Sequence, residues 1–82
     1  MEVYLTRHAK NRMRLYEITA EEIHVTLREP DQVTEGAYGR RQAWKRGPHG
    51  QWLRVTFVDE GTRRIVITIT PTRQGPGGAH AD

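Results

Sequence analysis

Gln51-Trp52-Leu53-Arg54-Val55-Thr56-Phe57-Val58-Asp59-Glu60-Gly61-Thr62-Arg63-Arg64-Ile65-Val66-Ile67-Thr68-Ile69-Thr70 is the stretch that decides the fold. Its first half alternates Leu53, Val55 and Phe57 against Trp52, Arg54 and Thr56. Its second half alternates Ile65, Ile67 and Ile69 against Arg64, Val66 and Thr68. A period of two marks a half-buried strand. Between the halves, Asp59-Glu60-Gly61 fits a turn with Gly61 in the left-handed position. The stretch is therefore a hairpin with one apolar and one mixed face. Upstream, Ala37 to Lys45 reads as a polar strand joined to it through Arg46-Gly47-Pro48-His49-Gly50, which makes a three-stranded meander.

Before Pro30 the period is helical. Thr6 can cap a helix over about residues 7–16, with Ala9, Met13 and Tyr16 forming its buried stripe. Thr19-Ala20-Glu21-Glu22 is a capping box, Thr19 at the N-cap and Glu22 at the third position. The second helix runs to about Arg28, buries Ala20, Ile23 and Leu27, and stops because the residue before Pro30 avoids the α region. Glu2 to Leu5 alternates and reads as a short first strand. The expected fold class is α+β in the order β-α-α-β-β-β, an antiparallel sheet with a two-helix layer on one face and the other face open. Residues 1–71 form the single domain. Residues 72–82, rich in glycine and without periodicity, read as a flexible tail.

At 82 residues the chain holds one small core and buries only roughly 60–65% of its unfolded surface. With no cysteine there is no disulfide, no thiolate nucleophile and no cysteine-based zinc site. The N-terminus lacks the pattern of a signal peptide, and no apolar run is long enough to span a membrane, so a soluble, cytoplasmic protein is expected. The net charge is +3 and unevenly spread. Glu17 to Glu35 holds six acids and one base, whereas Gly36 to Thr56 holds five bases and no acid. Arg7, Lys10, Arg12 and Arg14 add a second basic block. Basic blocks flanking an acidic one suit a polyanion partner; a solvated mixed surface is the plainer alternative.

Sheet parity gives the charge map a shape. If the turn closes with Arg46 opposite Gly50, Trp44 lies opposite Trp52, Gln42 opposite Arg54 and Arg40 opposite Thr56. Arg40, Trp44, Trp52 and Arg54 then share the open face, in the aromatic-plus-basic composition that binds single-stranded nucleic acid. The same indoles would also serve as a hairpin lock or a protein interface.

Thr6-Arg7-His8-Ala9-Lys10-Asn11-Arg12-Met13 resembles the T-x-H-A-x-x-R-M opening of a bacterial family of small domains of unknown function. Ile18-Thr19-Ala20-Glu21-Glu22-Ile23 and Glu29-Pro30-Asp31 match its later pieces, and the likeness covers all but the tail. The family has Arg-Gly where this chain has Tyr16-Glu17, which leaves the helix–helix turn less relaxed and carries over no role for that arginine. The family's layout is similar to that of RelE/ParE-like and BrnT-like toxins. That likeness implies RNA or the ribosome as partner, a small antitoxin-like protein as neighbour, and a metal-independent endoribonuclease activity with no cofactor.

Cleavage of RNA needs proton transfer and stabilisation of a charged phosphorane. His8 and Arg12, one helical turn apart, are the candidate catalytic pair; the bland alternative for His8 is a structural hydrogen bond. His24, His49 and His80 are widely spaced, so no metal site is expected. A non-catalytic protein-interaction module, or a homodimer, is the competing function.

Overall fold

Thr19 begins the second helix as its sequence requires. Its Oγ1 accepts from the Glu22 N–H at 3.1 Å, and Glu22 Oε1 accepts from the Thr19 N–H at 2.8 Å. The computed structural model describes residues 2–77. Its elements are β1 (Glu2–Leu5), α1 (Arg7–Tyr16), α2 (Ala20–Arg28), β2 (Gln32–Glu35), a 3₁₀ turn (Ala37–Gly39), β3 (Arg41–Arg46), β4 (Trp52–Glu60) and β5 (Arg63–Thr72). The strands form one sheet in the order β1-β5-β4-β3-β2. The protein is α+β, with both helices on one face of the sheet.

The sheet differs from the expected meander in three ways. First, it has a fifth strand. The added strand is β2, upstream of the strand expected over Ala37–Lys45; that strand shortens to β3, because Ala37–Gly39 is the turn that folds it back on β2. Tyr38 and Gly39 take φ of 60° and 74° there, which reverses the chain. Second, the sheet is mixed, because β1 pairs parallel to β5, with Leu5 opposite Val66. The chain from β1 to β5 passes through both helices and the other three strands, which supplies the long connection that parallel neighbours need. Third, β5 carries a bulge. Thr56 faces Thr68 but Phe57 faces Val66, so Ile67 is the extra residue. Across it the parity flips: Ile69 and Val66 are both fully buried, while Ile65 goes to the other face opposite Val58. The expected Ile65–Ile67–Ile69 stripe is thereby broken.

The core is Ala9 of α1, Ile23 of α2, and Val55, Val66 and Ile69 of the sheet, flanked by Val3, Leu5, Met13, Ile18, Leu27 and Leu53. Each fully buried Val or Ile contributes about 1.5–3 kcal/mol. Ala20, expected inside, is exposed. Thr26 is buried instead and satisfies its hydroxyl on the Glu22 carbonyl at 2.8 Å.

β5 runs to Thr72, which pairs with Trp52 and was expected to lie in the tail. Beyond it Gly75 lies against the Trp52 indole, so closely that a β-carbon at 75 would come within 2.4 Å of Cε2. The rest of the expected tail, residues 78–82, lies outside the described residues. No helix among those described is long and apolar enough to cross a membrane.

Candidate nucleic-acid interface

β1 is short, so the upper half of β5 has no strand on its outer side. α1 fills that edge. Thr6 N–H donates to the Val66 carbonyl at 3.2 Å and Thr6 Oγ1–H to the Ile67 carbonyl at 3.1 Å. Arg12 Nε–H donates to the Ile69 carbonyl at 3.3 Å. His8, one turn before Arg12 on the same helix face, brings its Nε2 to 3.1 Å from Thr68 Oγ1. The two candidate catalytic residues therefore stand side by side along one strand. Arg12 is half-buried, its guanidinium over the Tyr16 ring at 5.0 Å, while His8 is exposed. Among the described residues no acid pairs with Arg12; its partner is backbone.

Residues directly opposite each other in a sheet share a face. Three cross-strand rows therefore make up the face away from the helices. They are Thr34–Gln42–Thr56–Thr68, Gln32–Trp44–Arg54–Thr70, and Arg46–Trp52–Thr72. His8 extends the first row through Thr68. None of these residues is acidic; the nearest strand carboxylates on this face, Glu2 and Glu60, flank Arg63 at the far end. With strands about 4.8 Å apart, the rows stretch about 14 Å from β5 to β2.

Trp44 faces Arg54 and Trp52 faces Arg46, which corrects the expected Trp44–Trp52 pairing by two residues. The turn is the cause. Gly47 N–H donates to the Gln51 carbonyl at 2.7 Å, so the loop is Pro48-His49-Gly50, with Gly50 at φ 84° before the strand resumes. A three-residue loop was expected one position earlier; parity survives because the loop length is unchanged. Trp44 is only 8% exposed, and its Nε1–H donates to Thr34 Oγ1 at 2.9 Å, which donates in turn to Gln42 Oε1 at 2.9 Å. Arg54 lies over the Trp44 ring at 5.6 Å, and its buried Nε has no hydrogen-bond partner among the described residues. Trp52 is half-covered by Gly75. Arg40 follows the turn rather than lying opposite Thr56; it is exposed, and its carbonyl accepts from Gly36 N–H at 2.8 Å. The structure thus brings His8, Trp44, Trp52 and Arg54 to one side of the sheet, with Arg12 at the outer edge of β5 and Arg40 beyond the start of β3. It makes Arg54, not the buried Trp44, the group that can meet a ligand.

The sequence reading put Thr56 on this face without giving it a role, and it singled out neither the other threonines nor Tyr38. The threonines alternate with buried residues in β4 and β5 and looked generic. Tyr38 sits inside Gly36-Ala37-Tyr38-Gly39, a turn signal that marks it as a loop-tip aromatic.

Elsewhere, a cleft of about 730 Å³ separates α2 and the α1–α2 turn from the β3–β4 hairpin. Ile18, Val25 and Leu53 contribute apolar surface to it, and Glu17 and Glu21 stand on its helical side. At the other end of the sheet Asp59 forms a two-pronged pair with Arg64, at 2.8 Å from Nε and 3.0 Å from Nη2. That pairing holds the Asp59 carboxyl below its ordinary value.

Residues 5–71 match the model of a family described as a domain of unknown function, DUF4258. No curated protein and no solved structure matches the chain.

Proposed function

From the premise that the chain belongs to the DUF4258 family, we propose that it is an RNA-binding domain that receives single-stranded RNA across the open face of its sheet. The observation that carries this is the composition of that face: three cross-strand rows holding His8, Arg46 and Arg54 among threonines and amides, with no carboxylate. A backbone of phosphates meets two guanidinium groups and the hydroxyl and amide donors beside them there, with the Asp31 carboxylate held on the Arg46 N–H at 2.8 Å at the edge. Threonine hydroxyls suit sugar and phosphate oxygens, and guanidinium groups suit phosphates. Within these rows Trp52 is the ring exposed enough to stack, so their contribution to affinity rests mainly on charge.

The same geometry supports the finer reading of a toxin-like, metal-independent endoribonuclease. Arg12 Nε is committed to the Ile69 carbonyl, which fixes the plane of the guanidinium and leaves its terminal nitrogens to address a phosphate. His8 would take the proton from a 2′-hydroxyl as that oxygen attacks phosphorus. It would then return the proton to the leaving 5′-oxygen, giving a 2′,3′-cyclic phosphate. A second reading, a protein-interaction module, is favoured by the apolar cleft beside α2.

The binding test is titration of a labelled single-stranded RNA at several salt concentrations. The parent should bind, and Arg46→Ala with Arg54→Ala should weaken binding and lower the salt slope by about one unit for each phosphate no longer neutralised. Unchanged affinity and slope in the double variant would remove the open face as the binding surface. For cleavage, His8→Gln should cost roughly 10²–10⁴ in rate with the melting temperature nearly unchanged. Intact RNA after incubation with the folded parent, with and without ribosomes, would end the catalytic reading and leave binding.

A further inference from the structure

We infer that Tyr38, at the tip of the hairpin between β2 and β3, is a base-stacking finger for the single-stranded RNA proposed above. The inference rests on that RNA-binding reading and adds a contact to it. It begins from a conflict between residue type and backbone. Arg40 N–H donates to the Ala37 carbonyl at 3.2 Å, closing a turn whose two central residues are Tyr38 and Gly39. Both have positive φ, 60° and 74°. Such turns match the twist of a hairpin, but they favour Asn-Gly or Gly-Gly, because a side chain at positive φ crowds its own backbone. Gly39 meets the requirement. Tyr38, one of the bulkiest residues, does not.

Nothing among the described residues compensates for this. Tyr38 is 93% exposed, the highest value among the described large apolar and aromatic residues left in solvent. At that exposure it has almost no protein surface to pack against, so its identity does nothing for the hairpin. An unfavourable backbone carrying a fully presented aromatic ring is the pattern of a contact residue.

The surroundings select the partner. Arg40 follows directly, and strand alternation from Arg41 puts it on the side of the open face. Arg41 is the next residue, paired to Glu35 at 3.5 Å and lying over the Phe57 ring at 5.7 Å. The tip therefore offers one flat aromatic ring with an exposed guanidinium beside it, beyond the acid-free rows and at the end of the sheet where Glu60 and Glu2 flank Arg63. A ring for a base and a cation for the adjoining phosphate is the single-strand recognition pair. A strand crossing the rows from His8 toward β2 and β3 reaches Tyr38 at the sheet's end.

The experiment titrates the same labelled single-stranded RNA against the parent, Tyr38→Asn and Tyr38→Trp, and melts each protein. Tyr38→Asn relaxes the turn and removes the ring. It should raise the melting temperature by about 2–8 °C and weaken RNA binding by roughly 5–150-fold, the range for one stacked base. Tyr38→Trp should bind like the parent, and its emission should change on adding RNA. Parent-like binding by Tyr38→Asn overturns the finger while leaving the open-face reading intact. A parent that binds no RNA overturns both. A fall in the melting temperature of Tyr38→Asn shows that the ring is structural and overturns the inference, as does loss of self-association rather than of RNA binding.

Discussion

Replacing Glu17 by Gly should stabilise this protein. Glu17 ends α1 at φ 55° and ψ 44°, the left-handed conformation. Its N–H donates to the Arg14 carbonyl at 3.4 Å, and Ile18 N–H donates to the Met13 carbonyl at 2.8 Å. Those two bonds define a Schellman ending, whose left-handed position usually holds glycine. A residue with a β-carbon there costs about 1–2 kcal/mol. Glycine removes that strain but returns about 0.5–1 kcal/mol to the unfolded chain as entropy. Glu17 is also an acid at a helix C-terminus, unfavourable by about 0.3–1 kcal/mol against the helix dipole. The net gain from Glu17→Gly is about 1 kcal/mol, a rise in melting temperature of about 4–8 °C for a domain of this size. Thermal melts followed by far-UV circular dichroism measure it. Glu17→Gln is the control: it removes the charge, keeps the strain, and should gain only a few tenths of a kcal/mol. If Glu17→Gly melts no higher than Glu17→Gln, backbone strain at the helix–helix turn is not what the φ value implies.

Thr19→Ala removes the acceptor of the Glu22 N–H and one bond to its carboxylate, and should cost about 1 kcal/mol in denaturant unfolding; no loss would mean the box contributes nothing to α2. The Asp59–Arg64 pair should give the fold an acid-side dependence. The Arg64 hydrogen bonds lower the Asp59 pKa below 3.8, so the pair's stabilisation is complete above that value and is lost as pH falls through the lower folded value. Asp59→Asn should therefore lower stability at neutral pH and converge with the parent in acid, a comparison that chemical unfolding across the acid range reads directly.

What the sequence disclosed was the local part of the fold. The Thr19 box needs four consecutive residues, and it formed as read. The parity of β4 needs only alternation, so Leu53, Val55 and Phe57 were separable from Trp52, Arg54 and Thr56. What stayed hidden depends on a choice between near-equal local options. Ile65-Val66-Ile67 is apolar at every position, so either parity suits it, and only the partner strand fixes the bulge at Ile67. The β3–β4 loop has glycine at both 47 and 50, and the register follows from Gly50 being the one to turn left-handed. Gln32-Val33-Thr34-Glu35 is short and polar, and it becomes a strand only because β3 is beside it.

The candidate site shows the same division. That His8 and Arg12 share a helix face was legible from their spacing; that this face meets the outer edge of β5 was not, because it follows from where the short β1 stops. This placement gives the opening motif a structural meaning. Thr6, His8 and Arg12 each bond to the segment from Val66 to Ile69, Ala9 is fully buried, and Met13 packs on the core. Together these residues cover a strand edge that would otherwise offer unpaired amides and carbonyls to another chain. Thr6, Ala9, Arg12 and Met13 act on the backbone or the core, so their presence follows from the fold alone. His8 does not: it touches a side-chain hydroxyl, stays exposed, and closes no backbone group. A glutamine could make that same contact. Of the motif residues, His8 is the one for which edge protection is an insufficient reason, and through Thr68 it joins rows that hold no carboxylate.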